Sequence, residues 1–178
     1  MKTITITIAL VLLTLGTNLS AQRHSSSNEY GNTLNIGLGI GGYSGYYGYY
    51  GNTLPVFNLN YEFGVARNFT LAPFISFYSY SDANYRSYVT PIGVKGTYYL
   101  DQLLHAGSDW DFYVAGSLGA DIETTTWNDG YNGDRSYYKS VDPLYLDFHL
   151  GTEYHISRKV GLFLDFSTGV STIGIAIH

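Results

Sequence analysis

Apolar and polar side chains alternate along most of this chain. In the stretch LYLDFHLGTEYH, residues 144–155, Leu146 and Phe148 fall on one parity and Asp147 and His149 on the other. Successive side chains of a β-strand point to opposite faces, so this pattern predicts a strand with one apolar and one ionisable face. No segment after the first 30 residues shows the period of an amphipathic helix.

Eight segments of this kind follow one another, separated by turns rich in Gly, Asn, Asp and Ser. Most of them are about 8–13 residues long, which is closer to the 9–11 residues of a tilted membrane strand than to the usual 5–6 of soluble proteins. The segments are TLNIGLGIGG, LPVFNLNYEFGV, FTLAPFISFYSY, YVTPIGVKGTYYL, DFYVAGSLGADIET, LYLDFHLGTEYH, VGLFLDFSTG and the run from Ile173 to Ile177.

The charged side chains within these segments all lie opposite the apolar stripe. Their companions on that face are mostly Gly, Ala, Ser and Asn, whereas a water-facing strand surface usually carries more Lys, Glu, Thr and Gln. Small residues mixed with a few ionisable ones suit the narrow interior of an eight-stranded membrane barrel. We therefore predict an all-β fold, an eight-stranded antiparallel up-and-down transmembrane β-barrel. Its predicted interior ionisable network is Glu62, Lys95, Asp121, Glu123, Asp147, His149, Glu153 and Asp165.

The chain begins with the features of a secretory signal peptide. Lys2 is followed by an apolar run, Ile4–Leu15, and by the small residues Ser20 and Ala21. The run is about a dozen residues long, short of the roughly 20 that a membrane-spanning helix needs. We predict a signal peptide over residues 1–21, a flexible lead-in over 22–32 and the barrel over 33–178, hence export to the outer membrane of a Gram-negative cell.

Composition and charge exclude several functional classes. Charged residues make up 13% of the chain, against about 25% in soluble proteins. The net charge of -5 argues against a nucleic-acid partner, which would require a basic surface. With 0 cysteines there is no disulfide framework and no thiolate site. We predict no cofactor.

The interior acids raise the question of chemistry. We expect three of these acids near one mouth of the barrel: Asp121, Glu123 and Asp147. They could form a cation site, a carboxylate pair for hydrolysis or a group of solvated carboxylates without a chemical role. We favour the solvated carboxylates. Lys95 should pair with Asp165 or Asp147, because an unpaired charge in a narrow lumen is costly. We favour a structural ion pair over a conducting role, since such a lumen is filled by side chains.

Histidines are the other candidates for chemistry. His149 and His155 flank Glu153 on one strand face, but the three are too spread out along one strand to hold a metal unaided, so we predict no metal site. The predicted extracellular loops, residues 43–52, 81–87, 126–143 and 168–172, contain no histidine, which argues against a membrane enzyme acting at the outer rim. We predict no catalytic residues.

Aromatic residues cluster at strand ends and in the loops. At strand ends they are typical of the interfacial girdle of a membrane barrel, as expected for Tyr88, Tyr98, Tyr99 and Trp110. In the loops, Tyr offers contact area at low cost in entropy and could bind a surface or ligand, although ordinary exposed loops remain an alternative. The candidate loop contacts are Tyr46, Tyr47, Tyr49, Trp127, Tyr131, Tyr137 and Tyr138.

The segments DFYVAGSLGADI and VGLFLDFSTGVSTIGIAIH resemble the small outer-membrane β-barrel proteins common in Bacteroidetes, similar in size to the OmpX/OmpA-type barrels. The resemblance covers residues 33–178. It implies insertion by the barrel-assembly machinery, which recognises a C-terminal strand of alternating apolar residues, here Ile173, Ile175 and Ile177. The family usually ends in an aromatic residue, whereas this sequence ends in His178.

The sequence predicts a monomer surrounded by outer-membrane lipid, with a structural or adhesin-like role through its extracellular loops. Two alternatives remain open at this stage. One is a narrow pore for ions or small solutes, and the other is a soluble secreted barrel that binds an apolar ligand.

Overall fold

The protein is a closed barrel of eight strands, β1–β8. The computed structural model describes residues 30–40, 55–81, 83–128, 132 and 144–178. The strands are β1 Thr33–Ile40, β2 Pro55–Ala66, β3 Phe69–Ser81, β4 Tyr85–Tyr99, β5 Trp110–Trp127, β6 Leu144–Ser157, β7 Val160–Ser167 and β8 Ser171–Ile177, and a short helix, α1 Asp101–Leu104, joins β4 to β5.

Every strand pairs antiparallel with its neighbour in sequence, and β1 pairs with β8 to close the barrel. The closing ladder runs from Leu34 opposite Ile177 to Ile40 opposite Ser171. This confirms the predicted fold class. We call the end where β1 begins and β8 ends the terminal end, and the opposite end the loop end. The predicted signal peptide, and the lead-in as far as residue 29, lie outside the described residues.

The barrel is apolar outside and polar inside. Phe148 and Ile173 on the exterior are 61% and 62% exposed, whereas Asp147 and Asp165 inside are 0% and 2% exposed. The predicted orientation of the two faces is therefore confirmed for these strands. The interior also holds apolar groups, among them Val56, Phe74, Val89 and Phe163. No helix in the described part of the chain has the length and apolar character needed to cross a membrane.

Tyr99 differs from the expectation that it belongs to an aromatic girdle. Tyr98 is half-exposed on the exterior, but its neighbour Tyr99 is buried inside, because consecutive strand residues face opposite ways. The Tyr99 hydroxyl donates to Glu62 in the lumen. Its partner across the ladder, Tyr113, is buried in the same way.

In the described part of the chain, β3, β4 and β5 continue beyond the last described pair of the β5–β6 ladder. That pair is Ala120 opposite Leu144, whereas the β4–β5 ladder reaches Tyr85 opposite Trp127. Seven residues at about 3.4 Å each make this continuation about 24 Å long along the strand. We call Tyr78–Ser81, Tyr85–Thr90 and Ile122–Trp127 the outer extension. Trp127, predicted in a loop, is thus a strand residue.

Candidate functional site

Glu62 is the centre of one interior hydrogen-bond group near the terminal end. It is 4% exposed, and its carboxylate accepts bonds from Asn35 Nδ2 at 3.0 Å, Thr70 Oγ1 at 2.8 Å and the Tyr99 hydroxyl at 2.8 Å. The donors come from β1, β3 and β4, so one carboxylate on β2 links four strands. Buried carboxylates are tolerated when their oxygens are saturated in this way.

Asp165 is the centre of a second group, halfway along the lumen. Lys95 Nζ lies 2.5 Å from its Oδ2, the Tyr113 hydroxyl donates to the same oxygen at 3.0 Å, and His149 Nδ1 lies 2.7 Å from Oδ1. Of the two acids considered for Lys95, the structure places Asp165 against it. The second nitrogen of His149 lies 2.8 Å from Ser117 Oγ.

Ser117, His149 and Asp165 follow one another in the hydrogen-bonding order of a hydrolase triad. A triad also needs space for an acyl substrate beside the serine. Ser117 is 3% exposed, and the cavity next to it has a volume of about 30 Å³, which suits a water molecule. The arrangement therefore ties β5, β6 and β7 together and leaves no room for an acyl group.

Asp147 does not join Asp121 and Glu123 in the acidic mouth considered from sequence. It lies opposite Ser117, four residues or about 13 Å along β5 from Asp121. Its carboxylate accepts from Thr168 Oγ1 at 2.7 Å and from the Gly169 amide at 2.8 Å. Asp147 thus fixes the turn between β7 and β8. Asp121 and Glu123 stand at the loop end, where their ladder partners belong to β4.

The terminal end holds a third group, in which two histidines meet one glutamate. His178 Nε2 lies 2.7 Å from Glu153 Oε1, and His155 Nδ1 lies 3.8 Å from the same oxygen. The outer nitrogens also have partners, since His155 Nε2 lies 2.8 Å from Asp111 Oδ2 and His178 Nδ1 lies 3.0 Å from Thr33 Oγ1. The hydrogen bond to Glu153 raises the pKa of the His178 imidazole above its usual value. An open cavity of about 700 Å³ adjoins the group.

From the sequence, Glu153, His155 and His149 were weighed together as a possible metal site. The structure places His149 apart from the other two. His149 points to Asp165 in the middle of the lumen, and His178 takes its place beside Glu153. The available signal was the parity of His178, which continues the interior face of β8.

Most of the candidate loop contacts, Tyr46, Tyr47, Tyr49, Tyr131, Tyr137 and Tyr138, lie outside the described residues. Trp127 is described, and its ring packs against Tyr85 with centroids 5.4 Å apart. The next residue, Asn128, donates from its backbone to Asn84 and from its side chain to Ala83, both at 2.9 Å. The end of β5 is therefore fastened to the β3–β4 turn at the tip of the outer extension.

No protein-family model matches this chain, and no curated protein matches it. Among solved structures, the fold is similar to Yersinia pestis outer membrane protein Ail in a phospholipid nanodisc, with 12% identity over 83% of this chain and 99% of that one, at a TM-score of 0.48. It is also similar to Neisserial surface protein A, with 12% identity over 82% of this chain and 94% of that one, at a TM-score of 0.47. The N-terminal β-barrel domain of Pseudomonas aeruginosa OprF is similar too, with 10% identity over 83% of this chain and 97% of that one, at a TM-score of 0.46.

Proposed function

We propose that this protein is an integral barrel of a bacterial outer membrane that acts at the cell surface through its loop end. The observation that carries the proposal is the apolar exterior, which every strand shares. Large apolar side chains such as Leu38 on β1, Phe57 on β2, Leu118 on β5 and Phe166 on β7 are each more than half exposed. A soluble protein rarely exposes so large a continuous apolar surface, whereas hydrocarbon would cover it.

The barrel backbone supports the same location. Hydrocarbon offers no hydrogen-bond partners, so a spanning structure must satisfy its own backbone groups, and the closed β1–β8 ladder does so. The alternating exterior isoleucines of the last strand, Ile173, Ile175 and Ile177, support recognition by the barrel-assembly machinery. In this arrangement the terminal end faces the periplasm. The resemblance to Bacteroidetes barrels stays a prediction from the sequence.

Fractionation tests the location. We expect the protein in the outer-membrane fraction, migrating faster on a gel before heating than after it, as folded barrels do. Recovery from the soluble fraction without a heat-dependent shift would contradict the proposal. It would favour the soluble alternative, against which the polar interior already counts, because the lumen cavity lined by the described residues, about 30 Å³, suits a water molecule and is too small for an apolar ligand.

The filled lumen supports a role without conduction. Lys95, His149 and Asp165 are bonded across its middle, next to a cavity of about 30 Å³. Hydrated ions need a continuous path, which these side chains obstruct. In a planar bilayer we expect no steady single-channel current from the purified protein. A steady current that changes on replacing Lys95 with methionine would favour the pore.

The surface role rests on the outer extension. It carries the β3–β5 sheet about 24 Å beyond the last described pair of the β5–β6 ladder. Its side chains include the half-exposed Tyr88, and the Tyr85–Trp127 pair forms its tip. Aromatic residues on a braced sheet can bind a partner at low cost in entropy.

The test is adhesion of cells that display either the parent barrel or a variant without the aromatic side chains of the outer extension. One variant replaces Tyr85, Tyr88 and Trp127 with serine, and a matched control replaces the exposed Leu103, Leu104 and Trp110 of the terminal end with serine. We expect the first variant to lower adhesion to immobilised proteins at least tenfold and the control to leave it unchanged, at equal surface levels. Equal adhesion by both variants and the parent would contradict the surface role of the extension.

A further inference from the structure

The three residues Glu153, His155 and His178 bring together ligand atoms of two kinds. One oxygen of Glu153 and one nitrogen of each histidine all lie within 4.8 Å of one another. Imidazole nitrogen and carboxylate oxygen are the ligands that zinc takes up in proteins, at about 2.0–2.2 Å. Around a tetrahedral ion such atoms are about 3.4 Å apart, so modest side-chain rotations would complete the set.

The nitrogens that face away from Glu153 are held by other groups. His155 Nε2 is bonded to Asp111 at 2.8 Å, and His178 Nδ1 is bonded to Thr33 at 3.0 Å. His178 Nε2 and Glu153 Oε1, 2.7 Å apart, share a proton that a zinc ion would displace. With the remaining ring protons on the outer nitrogens, His155 Nδ1 and His178 Nε2 would both direct lone pairs toward an ion beside Glu153. Histidines that bind metals commonly have their second nitrogen fixed by a carboxylate or another oxygen in this way.

The group is also placed where an ion could enter. Glu153 is buried, but the His155 and His178 side chains are 23% and 26% exposed, and they line the open cavity of about 700 Å³ at the terminal end. Asp109 and Asp111 line the same opening, although Arg158 lies there too. A fourth ligand position toward this cavity could be taken by water.

We propose that Glu153, His155 and His178 form a zinc-binding site at the terminal end of the barrel, with Asp111 and Thr33 orienting the two imidazoles. The site joins β6 to the residue after β8, and β1 and β5 supply the orienting groups. Bound zinc would therefore link four strands at one end of the barrel. The inference depends on this geometry and not on the surface role proposed above.

The test is a calorimetric zinc titration of the full chain, folded in detergent and stripped of metal with a chelator. We expect one zinc ion per chain, and we expect cobalt to give the intense visible absorption of a four-coordinate site. His178→Asn should weaken zinc binding by about 100-fold or more, because loss of an orienting group alone costs about 10–100-fold. Asp111→Asn should fall within that smaller range.

His105→Asn is the matched control. His105 is exposed at the same end and has a left-handed backbone, φ 53, which Asn tolerates. This variant should bind zinc as the parent does. Heat-dependent gel migration checks that every variant is folded. Absence of zinc binding by the parent, unchanged affinity in His178→Asn, or an equal loss in His105→Asn would overturn the proposal.

Discussion

Replacing Lys95 with methionine would remove the cation from the middle of the lumen. Asp165 would then keep two partners, the Tyr113 hydroxyl at 3.0 Å and His149 at 2.7 Å. Because the carboxylate is 2% exposed, bulk water cannot solvate it in place of the lost ammonium, and the adjoining cavity of about 30 Å³ has room for a single water molecule. Breaking a buried pair from one side costs about 3–5 kcal/mol. The remaining donors place the expected loss of unfolding free energy near the lower limit, about 3 kcal/mol.

The measurement is urea-induced unfolding from phospholipid vesicles, followed by tryptophan fluorescence. Lys159→Met makes the same chemical change in the exposed β6–β7 turn and should alter the unfolding free energy by no more than about 0.5 kcal/mol. Lys95→Met combined with Asp165→Asn removes both charges and should lose less than the two single changes added together. A Lys95→Met loss below about 1 kcal/mol, or one equal to that of Lys159→Met, would show that the buried cation does not stabilise the barrel.

Three further predictions use the same unfolding assay, each with a matched control. Leu150→Arg places a charge on the exterior at the middle of β6 and should lower the free energy of unfolding by about 2–4 kcal/mol in a bilayer. The control Leu103→Arg, on the exposed helix α1, should change it very little. Equal losses would contradict membrane embedding. Asp147→Asn weakens the charge-assisted hydrogen bonds to Thr168 and Gly169 and should lower the free energy of unfolding by about 1–3 kcal/mol. The control Asp109→Asn, at an exposed position, should change it little. Asp147→Asn should also speed amide hydrogen exchange at Gly169. Gly119→Val directs a side chain into the backbone of β4 and should lower the free energy of unfolding by about 1–3 kcal/mol. The control Gly116→Val meets open space and should leave the free energy of unfolding unchanged. A tolerated Gly119→Val would mean that β4 and β5 move apart to admit the side chain.

The sequence was most informative where burial decides the identity of each residue. In β6 the exterior takes Phe148 and Leu150, and the interior takes Asp147 and His149, as the alternation predicts. It was less informative about how far strands continue. Trp127 was predicted in a loop because residues near it, such as Asn128 and Asp129, are typical of turns, yet pairing with β4 extends the strand to it.

The sequence also could not show which acid pairs with Lys95, or that His178 contacts Glu153. Lys95 had two possible acids on the interior face, and the choice depends on which one lies at its height in the closed barrel. His178 reaches Glu153 from 25 positions away, since β8 ends beside the terminal end of β7 and β1.

The alternating strands and the inward face of each could be predicted from the sequence alone, because side-chain direction along a strand is a local property with a period of two. Which interior side chains meet could be learned only from the closed barrel. Strands in a barrel are tilted and staggered, so the register between neighbours sets the height of every residue. That stagger places Asp165 against Lys95, Ser117 against His149, and His178 against Glu153.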